Sequence, residues 1–136
     1  MIDLTIVCTT YNHDKYIQDA LESFLTQKTK YTYKILVHDD SSEDNTVRIL
    51  KDYRNNHPDK IDLILQSKNL YQNGKKDCIW QEIISRIDSK YVAICEGDDY
   101  WIDEKKIDKQ ILFLENNPSY TLHTHASKNV DINKET

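Results

Sequence analysis

Two hydrophobic periodicities alternate along this chain, and that alternation restricts the available folds more than any single residue does. Leu4 to Cys8, Lys34 to Val37, Ile61 to Leu65 and Tyr91 to Cys95 are short runs rich in Ile, Val, Leu and Tyr, the length and composition of buried strands. Between them, apolar residues recur at helical spacing: Tyr16, Ile17, Ala20, Leu21, Phe24 and Leu25, then Val47, Leu50 and Tyr53, then Ile79, Trp80, Ile83, Ile84 and Ile87. Ser41 or Ser42 followed by Glu43 and Asp44 is a helix-start signal, and Asn56-His57-Pro58 a stop. A fourth helix, with Ile107, Ile111, Leu112 and Leu114 inward, ends before Asn117-Pro118, and Tyr120 to Ala126 has the pattern of one more strand. Strands and helices in this order predict an α/β fold with right-handed crossovers, a doubly wound, mostly parallel sheet, and ligands at the carboxyl ends of its strands.

The 136 residues suffice for one domain. It is placed at residues 1–126, with the polar stretch 127–136 as a tail or the start of a further part. A content of 38% hydrophobic and 30% charged residues is that of a globular chain. The net charge of -5 argues against nonspecific binding of nucleic acid or anionic membrane, which reward clustered Lys and Arg. The longest apolar run is far short of a transmembrane segment and no signal peptide is apparent. These features predict a cytoplasmic location, with association at the inner face of the membrane as an addition to it. Cys8, Cys78 and Cys95 form no C-x-x-C pair, so they are expected to be reduced, mostly buried small residues.

Polar residues of chemical interest follow the strands, as the predicted fold requires. Glu96, Asp98, Asp99, Asp103 and Glu104 place five carboxylates in nine residues with no base until Lys105. Such a cluster repels itself unless some members face solvent or share a cation. Mg²⁺ or Mn²⁺ typically uses one or two carboxylates together with substrate phosphates, which Asp98 and Asp99 at a strand end can supply. Asp103 and Glu104 are better read as solvated acids preceding a helix, where the helix dipole favours them. Asp39-Asp40 follows the second strand, where an acid in doubly wound folds engages a ribose or base edge, or else caps a helix. Thr9 to Asn12, after the first strand, offers hydroxyls, an amide and the Tyr11 ring, suited to stacking on a base or to packing.

Four segments in register resemble glycosyltransferase family 2: Thr5-Ile-Val-Cys-Thr-Thr-Tyr-Asn12, Ala20-Leu-Glu-Ser-Phe-Leu-Thr-Gln27, Val37-His-Asp-Asp-Ser-Ser-Glu-Asp-Asn-Thr46 and Tyr91-Val-Ala-Ile-Cys-Glu-Gly-Asp-Asp-Tyr-Trp101. The resemblance covers residues 2–126. It implies a GT-A (Rossmann-like) fold, a nucleotide-diphosphate sugar as donor with UDP-sugar favoured, and inversion at the anomeric carbon. It also implies transfer to a glycan or lipid-linked acceptor in surface polysaccharide or glycan synthesis. By that likeness Thr9, Tyr11 and Asp40 hold the nucleobase within a nucleotide site that also includes Asn12 and Asp39. Asp98 serves the ribose or metal, Asp99 the metal on the diphosphate, and Glu96 stands behind them. The segment Ser67 to Asp77 departs from the family pattern, with Lys75 or Lys76 where an Arg is usual. The general base is expected beyond residue 136.

Two further features read as structure rather than chemistry. His123 and His125 alternate and could face one metal, but two polar-face histidines are the commoner case. Trp80 is assigned to the core with Ile83, Ile84 and Ile87, whereas Trp101 either lines the sugar site or packs beneath the acidic loop. Two rival functions are a noncatalytic nucleotide-binding module and a nucleotidyltransferase. The second needs a Gly-rich phosphate loop, and the chain has only Gly74 and Gly97.

Overall fold

A computed structural model describes residues 1–130. Four strands alternate with four helices: β1 (Ile2–Thr10), α1 (Ile17–Leu25), β2 (Tyr33–Asp39), α2 (Thr46–Asn56), β3 (Ile61–Leu65), α3 (Lys76–Ser85), β4 (Ser89–Ile94) and α4 (Lys106–Asn116). The strands form one sheet in the order β3-β2-β1-β4, all pairs parallel. This is the α/β, doubly wound arrangement that the sequence predicts. Because β2 and β3 extend the sheet to one side of β1 and β4 to the other, the order reverses between β1 and β4.

The sheet is covered unevenly. Leu4, Ile6 and Cys8 of β1 join Tyr33, Ile35 and Val37 of β2 on one face, beneath α1, Leu50 of α2, and Ile107 and Ile111 of α4. On the other face Val7, Leu36 and Ile64 meet Ile79 and Ile83 of α3, with the partly buried Leu70 and Ile87 packed against them. Odd and even positions of each strand point to opposite faces, so this second face continues onto Val92 and Ile94 of β4. Those two are 48% and 59% exposed. The outer edge of β4 has no pairing strand among the described residues.

Several expectations are corrected. Trp80 is not core: it is 40% exposed, and Ile84 is 64% exposed, because α3 lies on its face of the sheet through a narrow i, i+4 stripe, Ile79 and Ile83 alone. Leu112 of α4 is also exposed. Tyr120 to Ala126 is not a strand; its His123 stacks on Phe113 at 4.5 Å between ring centroids and meets Gln110 at 3.1 Å. The segment therefore lies against α4, and His123 and His125 share no strand face. The helix start near Ser41 falls instead at Thr46, whose amide and hydroxyl both donate to Asp44 Oδ1 at 2.9 and 2.6 Å. Cys8 and Cys95 are buried as expected, but Cys78 is exposed. Residues 131–136 of the predicted tail lie outside the described residues.

Candidate functional site

The carboxyl ends of β1 and β4 are joined beyond the last paired strand residues. The Cys95 amide donates to the Val7 carbonyl at 3.0 Å and the Gly97 amide to the Thr9 carbonyl at 2.9 Å. These bonds fix the acidic turn directly beside Thr9 and Thr10, at the point where the strand order reverses, which is where open α/β sheets bind ligands. The Asp99 amide closes the turn onto the Glu96 carbonyl at 3.0 Å. Glu96, Asp98 and Asp99 are all exposed, and one carboxylate oxygen from each falls within 4.8 Å of the others. Three hard oxygen donors so placed fit a metal cation. Glu96 thus stands with Asp98 and Asp99 rather than behind them.

Gly97 is required in this turn by space. A Cβ there would lie 2.7 Å from Thr10 Oγ1 and 3.0 Å from His13 Nδ1. His13 is a residue that sequence patterning misses. Its Nδ1 sits 3.0 Å from Thr10 Oγ1 and its Nε2 3.8 Å from Asp98 Oδ2. The turn is also anchored from below: the Trp101 amide donates to Ser23 Oγ at 3.1 Å, and the Trp101 ring meets Phe24 edge-on at 4.8 Å. Trp101 therefore packs beneath the acidic loop. Lys106 lies 5.1 Å from the Trp101 ring centroid, and burial lowers its pKa to about 8.

The turns after β1 and β2 are interlocked. Asn12 and Ser41 both take positive φ, 53° and 66°, a conformation Asn tolerates better than most residues. The Asn12 amide donates to Ser42 Oγ at 2.9 Å, and Asn12 Oδ1 accepts the Glu43 amide at 2.8 Å. Asp39 is fully buried and accepts the Ser42 amide at 2.9 Å. The Asp14 amide donates to Asp44 Oδ2 at 3.1 Å. Burial acts to raise the Asp44 pKa, but the hydrogen bonds from Thr46 and from the Asp14 amide together carry it below the usual carboxylate value.

Asp40 is buried, with one carboxylate oxygen accepting the Leu70 amide at 2.7 Å and the other the Tyr71 amide at 2.9 Å. Its backbone carbonyl accepts from the Asn69 side chain at 3.1 Å. Asp40 thereby ties the loop after β3 to the end of β2. Thr9 and Tyr11 are partly exposed beside these turns. Asp103 and Glu104 are held apart from the acid group, Asp103 by Lys109 at 2.6 Å and Glu104 by Lys28 at 2.9 Å.

Below the turns, burial lowers the pKa of His38, which the neighbouring acids Asp40, Glu82 and Asp39 only partly offset. Its Nε2 faces Gln66 Nε2 at 3.3 Å. The Cys8 thiol is pushed far above its ordinary range and that of Cys95 to about 12, both chiefly by burial.

The fold and this strand-end site together define a GT-A domain. The profile of glycosyl transferase family 2 matches residues 5–135, and the chain belongs to that family. An uncharacterized protein of Mycobacterium tuberculosis is 34% identical over 122 residues, covering 90% of this chain and 34% of that protein. The structure of Staphylococcus aureus TarS 1-349 in complex with UDP superimposes with a TM-score of 0.72 at 24% identity, covering 86% of this chain and 33% of the other. The mannosyltransferase PcManGT from Pyrobaculum calidifontis, in complex with GDP-Man and Mn²⁺, gives 0.70 at 19% identity, covering 84% and 34%. This chain thus spans about a third of the length of these relatives. No helix among the described residues is long and apolar enough to cross a membrane.

Proposed function

We propose that residues 1–126 form the donor-binding domain of an inverting glycosyltransferase, taking a nucleotide-diphosphate sugar with Mg²⁺ or Mn²⁺. The observation that carries this is the convergence of Glu96, Asp98 and Asp99 at the sheet's reversal point beside Thr9 and Thr10. Asp98 and Asp99 hold the cation. When bound, the cation neutralises the charge that builds on the diphosphate as it leaves. Thr9, Tyr11 and Asn12 line the nucleotide side, with the Tyr11 ring against the base. Asp40 contributes lone pairs left over from the Leu70 and Tyr71 bonds, since a carboxylate has about four acceptor sites, and Asp39 sets the turn between them.

The donor is a UDP-sugar, supported by the UDP complex of TarS; GDP-Man in PcManGT makes the guanosine nucleotide the comparison to run. The sugar passes to a glycan or lipid-linked acceptor in surface polysaccharide or glycan synthesis. Calorimetry of UDP and GDP with Mn²⁺, repeated with excess chelator, tests this directly. Binding that needs the metal and favours UDP supports it, whereas metal-independent binding or tighter GDP counts against it. The chain's coverage of about a third of its relatives favours one second reading, that this chain alone binds nucleotide without turnover. Transfer to an acceptor by residues 1–136 alone would exclude it.

A further inference from the structure

We infer that His13 is a positioning residue for the cation site, acting through Asp98; this rests on the assignment of Asp98 and Asp99 to the metal. Three observations converge on it. His13 Nδ1 lies 3.0 Å from the Thr10 hydroxyl, the Nε2 edge faces Asp98 Oδ2 at 3.8 Å, and a glycine at 97 leaves room for the ring against the turn. Thr10 is buried, and no other acceptor for its hydroxyl proton is found among the described residues.

With the Thr10 hydroxyl donating to Nδ1, the neutral imidazole carries its proton on Nε2, the edge turned to Asp98. At 3.8 Å this is an electrostatic contact rather than a formed hydrogen bond. It biases one Asp98 oxygen toward the ring and leaves the other for the cation, the arrangement in which a partner behind a ligand orients it and raises affinity. Backbone and ring are each held from behind. The His13 amide donates to Thr46 Oγ1 at 2.9 Å, and the ring meets Tyr16 edge-on at 6.4 Å.

The test is Mn²⁺ titration alone, followed by electron paramagnetic resonance of the free ion, on the wild-type chain and on His13→Ala, His13→Gln, Thr10→Val, Asp99→Asn and Asp98→Asn. His13→Ala is expected to weaken Mn²⁺ binding about tenfold, at the lower end of what loss of such partners costs. His13→Gln, which keeps an N–H on a similar reach, should restore most of it. Thr10→Val leaves the imidazole in place but frees its tautomer, and should lose affinity with no loss of thermal stability large enough to explain it. Wild-type affinity in both His13→Ala and Thr10→Val, with Asp99→Asn impaired, overturns the role of His13 while leaving the metal site standing. Indifference of Mn²⁺ binding to Asp98→Asn and Asp99→Asn overturns the metal site itself. Equal loss in His13→Ala and His13→Gln, with Thr10→Val unchanged, reduces His13 to packing and also overturns the inference.

Discussion

Gly97 and Thr10 approach so closely that a single added carbon on the glycine would stand 2.7 Å from the threonine hydroxyl oxygen. The two residues belong to different strand ends and meet across the sheet's reversal point, so the acidic turn rests on β1 through a contact only glycine permits.

Replacing Gly97 by Ala should therefore displace the turn. The expected loss of stability is about 1–3 kcal/mol, typical of overpacking at a close contact. Thermal denaturation measures the stability and Mn²⁺ titration the site, which should weaken with it. An unchanged melting temperature and unchanged titration would show that the contact relaxes without cost.

Asp99→Asn removes one anionic oxygen while keeping the shape. Like charges in a cleft repel by about 4 kcal/mol per close pair at an effective dielectric near 20, so diphosphate binding should depend on the cation. Affinity for UDP in Mn²⁺ should fall by about one to two orders of magnitude in the variant, and binding should vanish on chelation in the wild type. Calorimetry reads both, and circular dichroism should show the fold intact because Asp99 is exposed.

Asp40→Ala leaves two backbone amides, those of Leu70 and Tyr71, without their acceptor. Each unsatisfied group costs about 1–3 kcal/mol where solvent does not replace it. Hydrogen exchange at Leu70 and Tyr71 should accelerate well beyond that of β3. If it does not, the loop is held by contacts other than Asp40.

His38 should make the domain acid-sensitive. Its folded pKa lies below the ordinary 6.5 because of burial, so below pH 6.5 the unfolded chain binds more protons than the folded one. Stability is then fully present above about pH 6.5 and declines as the pH falls through the folded value. The melting temperature should drop as the pH is taken below about 6.5, and His38→Gln should flatten that slope. An identical slope in the variant would assign it to other groups.

Much of the sheet was legible in the sequence because buried parallel strands are continuous apolar runs. Ile61–Leu65 falls where its pattern puts it, and β1 and β2 differ only by a residue or two at each end. The Asp98-Asp99 turn was legible because so dense a run of carboxylates at a strand end repels itself until solvent or a shared cation relieves it. Burial was not. Trp80 and Ile84 share helical spacing with Ile79 and Ile83, yet how wide a stripe is covered depends on how α3 sits on the sheet, which periodicity does not encode. Tyr120 to Ala126 alternates like a strand but has no ladder to join. His13 escaped notice because its significance is entirely tertiary: it follows from a ring reaching Thr10 on one side and Asp98 on the other. The engagement of Asp40 with Leu70 and Tyr71 is likewise a contact across about thirty residues, invisible to any local pattern.

The deep burial of Cys8 and Cys95 has a practical consequence. Their thiols hold their protons far above neutral pH, chiefly because burial disfavours the thiolate, and the thiolate is the form that alkylating reagents attack. Cys78 is the exposed one. A maleimide dye should therefore label the native chain at a single place, in the first turn of α3, just past the loop that Asp40 fastens. Its fluorescence would report on that loop as nucleotide is added, without any cysteine having to be removed.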